Sequence, residues 1–327
     1  MPWDIAAPIT PEQVEEALQQ NPQITAVIIT SPTFYGVLSD IRQIAQVTHK
    51  HGVPLLVDEA HGAHLPFLSS QRGAIAQGAN LAVASAHKTL PALTAGAFLF
   101  ADGSYDMRQL RRRASMFGTS SPAYPVMASM DVARAFMTGE GKDLYNQVAR
   151  HVCGLRQCIN AGGIFKALAE NADLHLDPTR LTVDVASGGI DGYKVARLLD
   201  QRFNIVCEMA DQRNIVMIIT CMDSWADLQC IEKALAVIRQ SAAAESTFTE
   251  SRSFPRPEPR LTPRQAAYAE IEYLTLSQAA GRIAGQHLAP YPPGIPVVAA
   301  GELISSDDID YLRYKKYDLE KEIAVII

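Results

Sequence analysis

Several features that would place a chain in a broad functional class are missing from these 327 residues. No apolar run approaches the roughly 20 residues that a bilayer-spanning helix needs. Met1-Pro2-Trp3-Asp4 lacks the basic region and apolar stretch of a secretory signal. An excess of positive charge is also absent: the formal charge of −6 and pI near 5.8 argue against general nucleic-acid binding. Cysteine is scarce. The five present (Cys153, Cys158, Cys207, Cys221, Cys230) are odd in number with no Cys-x-x-Cys spacing, which argues against a disulfide framework and points to reduced thiols. There is no internal repeat and no Gly-x4-Gly-Lys-Ser/Thr phosphate loop, so Asp58-Glu59-Ala60-His61, which also spells a helicase acidic box, has no nucleotide-binding counterpart. What remains is a composition of 48% hydrophobic and 20% charged residues, ordinary for a globular protein of two or three domains. The expectation is a soluble cytoplasmic protein with neither membrane nor nucleic acid as partner.

Apolar runs alternate with helical patterns along the first part of the chain. Pro11 to Gln20 reads as a helix with Thr10 as N-cap and Pro11 at its first position. Ile24 to Thr30 is a β-branched run expected to form a strand buried on both faces. Asp40 to His51 is amphipathic through Ile41, Ile44, Ala45 and Thr48, with Gly52 where a terminating glycine belongs. Val53–Val57, Leu81–Ala84 and Gly96–Phe100 supply further strands, and the alternation predicts a parallel sheet with right-handed crossovers. Long helices are expected over Ser121–Met137 and Lys142–Ile159. Strands at Arg180–Val185, Ile205–Glu208 and Ile215–Thr220, with helices at Gly192–Arg202 and Ser224–Arg239, then suit a small α+β layer. Ser241 to Pro263, rich in Ser, Glu, Arg and Pro, reads as a linker before a last unit that opens on a helix from Pro263. The expected division is 1–140, 141–240, 241–262 and 263–327.

Ligands of α/β sheets gather at the carboxyl ends of strands, and three polar clusters fall there: Thr30–Thr33, Asp58–His61 and Ser85–Lys88. An acid at one strand end and a lysine at another are the minimum equipment for pyridoxal 5′-phosphate (PLP). A carboxylate keeps the pyridine nitrogen protonated and an amine forms the Schiff base. Each residue also has a bland reading: a lone lysine after a strand is a surface residue, and a strand-end acid caps the next turn. His61 and His64 stand at i, i+3 but lack further ligands at metal spacing, so no metal site is expected. Arg108, Arg111, Arg112 and Arg113 read as a solvated helix face, or alternatively as a subunit contact or anion site.

With those residues in place, the chain resembles the Orn/Lys/Arg decarboxylases of the fold-type-I, aspartate-aminotransferase-like PLP enzymes. The resemblance rests on Ser31-Pro32-Thr33-Phe34-Tyr35-Gly36, Asp58-Glu59-Ala60-His61-Gly62-Ala63-His64 and Ser85-Ala86-His87-Lys88-Thr89-Leu90. It extends through Gly118-Thr119-Ser120-Ser121-Pro122-Ala123-Tyr124-Pro125, Pro290-Tyr291-Pro292-Pro293-Gly294-Ile295-Pro296 and Gly301-Glu302, nearly end to end. It implies an α/β fold: a partial, mainly parallel PLP-binding large domain, a small α+β domain and a C-terminal decarboxylase domain. It further implies that Lys88 binds PLP covalently, that Asp58 pairs with the pyridine nitrogen, and that Ala60 lies against the ring. His61 is implied near the phenolic oxygen and the substrate carboxylate, Thr33 near the ring, and Ser85 and His87 at the phosphate. Thr119 and Ser120 would approach the phosphate of a partner subunit in a homodimer or higher homo-oligomer.

The implied activity is decarboxylation of arginine, lysine or ornithine to the amine, within polyamine metabolism. Glu302 is a candidate for recognising the distal cationic group, or else a loop-capping acid. By the same resemblance a family large domain carries further residues ahead of the segment that opens this chain. Those residues include a phosphate-binding Gly/Ser/Thr-rich loop at a helix N-terminus and a residue stacking on the ring; residues 1–30 contain neither. A truncated, non-catalytic remnant, or another fold-type-I activity such as an aminotransferase or lyase, therefore stand as alternatives.

Overall fold

The first elements form for reasons visible in their caps. Helix α1 (Pro11–Gln20) opens on a capping box in which Thr10 accepts from the Gln13 N–H and the Gln13 side chain accepts from the Thr10 N–H. Strand β1 (Val27–Thr30) and the short β2 (Val37–Leu38) follow. Helix α2 (Ile41–Lys50) is capped by Asp40, whose carboxylate accepts from the Gln43 N–H. Then come β3 (Leu55–Asp58), β4 (Leu81–Ser85), the single-turn α3 (Ala86–Thr89) and β5 (Ala97–Ala101). The computed structural model describes residues 3–69, 72–171, 174–242, 253–291 and 294–327. Residues 243–252 of the linker expected at 241–262, and Pro292 and Pro293 of the C-terminal motif, lie outside the described residues.

The four main strands lie in the order β1-β3-β4-β5. β1, β3 and β4 are parallel, and β5 runs antiparallel to β4. The sheet is thus mainly parallel, as expected, and β5 returns antiparallel because a parallel return needs a crossover of about a dozen residues or more. The segment between Ser85 and Ala97 holds only α3 and a tight loop. Val14 and Leu18 of α1 and Ile41, Ile44 and Ala45 of α2 pack with Ile29, Leu55, Val57 and Ala82 into one core. The opposite face of the sheet is open: Ile28 is 70% exposed, Val83 46% and Leu99 46%. The expected two-faced burial of the 24–30 run is thus corrected to burial on one face. A strand carries its side chains alternately up and down, and only one side here is covered.

Helices α4 (Met107–Ser115), α5 (Tyr124–Thr138) and α6 (Glu140–Ala161) come next. α5 starts three residues later than the sequence pattern predicts. Starting at Ser121 would put Pro125 inside the helix, against the carbonyl four residues back; starting at Tyr124 leaves it in the first turn, where its missing N–H is no loss. Strands β6 (Lys166–Ala167), β7 (His175–Leu176) and β8 (Arg180–Asp184) precede α7 (Gly192–Phe203). No strand forms over 205–208. Asn204, left-handed at φ 54°, ends α7, and Val206 stays exposed; the strand lies at β9 (Met209–Ala210) instead. In β10 (Asn214–Ile218) the residues pair antiparallel to β8, and β6 flanks β8 on its other side. Helix α8 (Trp225–Ala242) packs on α6 and α7.

The chain divides into two compact units, Met1–Glu208 with Arg213–Ser246, and Met209–Gln212 with Thr247–Ile327. The second holds β11 (Glu258–Pro259), α9 (Pro263–Ala267), β12 (Ile271–Thr275), β13 (Ile283–Ala284), β14 (Glu302–Leu303), α10 (Ser306–Tyr314) and β15 (Glu322–Ile326). Its five strands run in the order β11-β14-β13-β15-β12, and Ile309, Tyr311 and Leu312 of α10 join their core. All five cysteines are free. Among the described residues no helix is long and apolar enough to cross a membrane.

Candidate functional site

The parallel register lines up the strand ends. Thr30 stands opposite Asp58, Asp58 opposite Val83, and Ser85 opposite Ala97. After each end the chain turns sharply. Gly62 N–H bonds the Glu59 carbonyl in the turn after β3, and Ser85 leads directly into α3 after β4. These turns bring His61 and Lys88 together, with Nε2 of His61 3.2 Å from Nζ of Lys88. The segment after β1 adds Phe34, whose ring meets the His61 ring edge-on at 4.8 Å. From β8 comes Arg180, whose Nη2 donates to Nδ1 of His61 at 3.2 Å. Sequence reading missed Arg180 altogether.

His61 is 8% exposed. Burial, reinforced by the positive charge of Arg180, pushes its imidazole down to about 3, so the ring is neutral at physiological pH. Behind it lies a second network. Buried His64 and Asp177 meet at 3.0 Å, and Thr179 donates its hydroxyl to the same Asp177 oxygen at 2.9 Å. Burial alone would raise the Asp177 carboxyl, but His64, Arg180 and the Thr179 N–H hold it well below the usual carboxylate range. His64 stacks on Tyr145, whose hydroxyl donates to the Thr89 carbonyl one residue past Lys88. His64 is thus a structural residue, and no group of three or more metal-ligating side chains occurs among the described residues.

The other expected residues are placed as follows. Asp58 lies on the open face of the sheet, and one of its oxygens accepts from the Ala60 N–H at 3.0 Å. Ser85 is half-buried at the start of α3 and makes no capping bond. His87 donates from Nδ1 to the Gly96 carbonyl at 3.0 Å. Thr33 uses its hydroxyl in its own turn, accepting from the Val37 N–H at 3.1 Å. Thr119 and Ser120 are exposed in the loop before α5, and Thr119 accepts from the Ser121 N–H, so neither joins the Lys88 group within one chain. Arg108 and Arg111 to Arg113 lie on exposed α4. In the second unit the Glu302 carboxylate accepts from the Ala299 N–H at 2.6 Å, a loop-capping contact.

The donor set suits PLP. Asp58 has a carboxylate oxygen to spare on an open face, and Lys88 enters no ion pair among the described residues. The family model of the Orn/Lys/Arg decarboxylase major domain matches residues 2–171, and that of the C-terminal domain matches 243–321. The chain belongs to the Orn/Lys/Arg decarboxylase family. An arginine decarboxylase of Bacillus subtilis (strain 168) is 34% identical over 320 residues, covering 95% of this chain and 65% of the relative, so the chain spans about two-thirds of that protein's length. The crystal structure of a Francisella novicida lysine decarboxylase superposes with a TM-score of 0.76 at 20% identity, over 97% of this chain and 60% of the other. A structure of SPT solved with PLP superposes at 0.55 and 17% identity, over 71% of this chain and 59% of the other. These likenesses agree with the expected α/β, PLP-transferase-like fold of the decarboxylase family.

Proposed function

We propose that this chain forms the lysine-bearing wall of an enzyme that decarboxylates a basic amino acid with PLP. The observation that carries the reading is the 3.2 Å contact between Lys88 Nζ and His61 Nε2 at the ends of adjacent parallel strands, with Asp58 at the end of one of them. In this reading Lys88 holds PLP covalently, Asp58 faces the pyridine nitrogen, and Ala60 lies along the ring. Ser85 and His87 serve the phosphate, and Thr33 lies near the ring. Thr119 and Ser120, exposed and apart from the Lys88 group of their own chain, serve a partner subunit's phosphate in a homodimer.

When bound, PLP supplies the sink for the electrons of the broken Cα–carboxylate bond. The chain's own residues bind and orient. Asp58 keeps the ring proton in place with a negative charge. His61, neutral and wedged between Phe34, Arg180 and Lys88, orients its neighbours by hydrogen bonding rather than by charge. Lys88, 3.2 Å from His61, would be placed to carry a proton when the cofactor is bound.

Arginine, lysine and ornithine are the substrates to try, since relatives are named arginine and lysine decarboxylases. Polyamine metabolism, a cytoplasmic setting and the division at 1–140, 141–240, 241–262 and 263–327 belong to the same proposal. The open sheet face favours a second reading: the chain acts only with polypeptide covering Ile28, Val83 and Leu99, and is otherwise a non-catalytic relative.

Mixing the purified protein with PLP tests both readings. A Schiff-base absorbance band that disappears in Lys88→Ala supports the first, and carbon dioxide release from each basic amino acid then identifies the substrate. A band that persists in Lys88→Ala removes Lys88 from the site. No band in the parent protein favours the second reading.

A further inference from the structure

The two nitrogens of His61 face two side chains that ordinarily donate hydrogen bonds, and a neutral imidazole has only one lone pair to offer. One of the two contacts must therefore run the other way. A guanidinium has five N–H groups and no acceptor, so the Arg180 contact fixes Nδ1 as the lone-pair nitrogen. The ring proton then sits on Nε2, directed at Lys88 Nζ.

From this geometry we infer that Arg180 is a positioning residue that locks His61 as an Nε2–H donor toward Lys88, so that His61 cannot serve as a general base. The inference rests on the PLP–lysine reading for its catalytic meaning, though not for the tautomer itself. With Nδ1 occupied, the imidazole has no free lone pair to take a proton from the substrate. Its N–H matches the lone pair of a free amine, the form of Lys88 that attacks a carbonyl, and is mismatched to an ammonium.

Arg180 is built to hold this direction. It is 2% exposed. Nη1 donates to the Phe34 carbonyl at 3.1 Å, and its own carbonyl accepts from Arg156 Nη2 at 2.6 Å. Its aliphatic stem lies against Gly36, where any Cβ would stand 2.5 Å from Arg180 Cβ and Cγ. The charged and titratable groups around the His61 ring are Lys88 from α3, Arg180 from β8, Asp177 from the turn before β8, and His64 from the turn after β3. Burial and Arg180 both disfavour a second ring proton, while Asp177 opposes them.

Long-range 1H–15N correlation of histidine-labelled protein at neutral pH reads the tautomer without PLP. His61 is identified by its loss in His61→Asn. The expected spectrum shows a protonated Nε2 and a bare Nδ1. Arg180→Lys, still a pure donor, retains the pattern. Arg180→Met loses it, populates both tautomers and moves the His61 titration upward. A protonated Nδ1 in the parent overturns the inference, as does a folded Arg180→Met protein with unchanged tautomer and titration. If Arg180→Met does not fold, the parent and Arg180→Lys spectra decide. Failure of PLP to label Lys88 while Nε2–H persists sinks the enzymatic reading and leaves the tautomer assignment standing.

Discussion

Gly36→Ala should be among the most damaging single-carbon additions this chain can receive. Gly36 has φ +82°, a left-handed conformation that costs an L-residue about 1–2 kcal/mol. The new Cβ would also stand 2.5 Å from both Cβ and Cγ of Arg180, a buried stem anchored at Phe34 and His61. Forced overpacking of that kind costs about 1–3 kcal/mol, giving a total of about 2–5 kcal/mol. Gly52→Ala is the internal control: its φ is +69° but nothing lies within 4 Å of the new Cβ, so only the strain of about 1–2 kcal/mol applies. Urea unfolding followed by tryptophan fluorescence suits the comparison, because Trp3 and Trp225 both belong to the first unit. Equal midpoints for the two variants would refute the close packing of Arg180 against the turn after β1.

Two further outcomes concern buried carboxyls. Burial raises Glu59 to about 8, against the lesser opposite effect of the Ala74 N–H that it accepts. Its folded pKa exceeds its unfolded one, so the folded state holds the extra proton and stability falls as pH rises from about 4.5 toward 8. Glu59→Gln should flatten that part of the stability–pH curve, and an unchanged slope contradicts the assignment. Asp177 has the opposite sign. Its lowered pKa contributes stability above the unfolded value, near 3.8, that is lost on further acidification. Asp177→Asn should cost about 3–5 kcal/mol at neutral pH by leaving buried Arg180 and His64 without their anion; thermal or urea unfolding measures the loss.

Local chemistry explains how much could be read from the sequence. The bounds of α1 and α2 follow from Thr10, Pro11, Asp40 and Gly52, whose capping and turn roles act over a few residues. The Asp58 and Lys88 clusters were visible because strand-end position and residue type together restrict chemistry. Arg180 gave no such signal. It sits in a strand between Thr179 and Leu181, and its meaning depends on a partner 119 positions away. The 24–30 run looked two-sided because apolar composition reports the tendency to be buried, whereas burial depends on what packs above. The antiparallel direction of β5 follows from a connection too short for a crossover, which alternation of elements alone does not reveal.

Borohydride reduction of the protein mixed with PLP, followed by peptide mapping, tests the central claim most directly. Reduction fixes a lysine Schiff base as a stable pyridoxyl group. The label is expected on Lys88 and is expected to be absent after Lys88→Ala. A label on any other lysine, or none on Lys88, would contradict that claim.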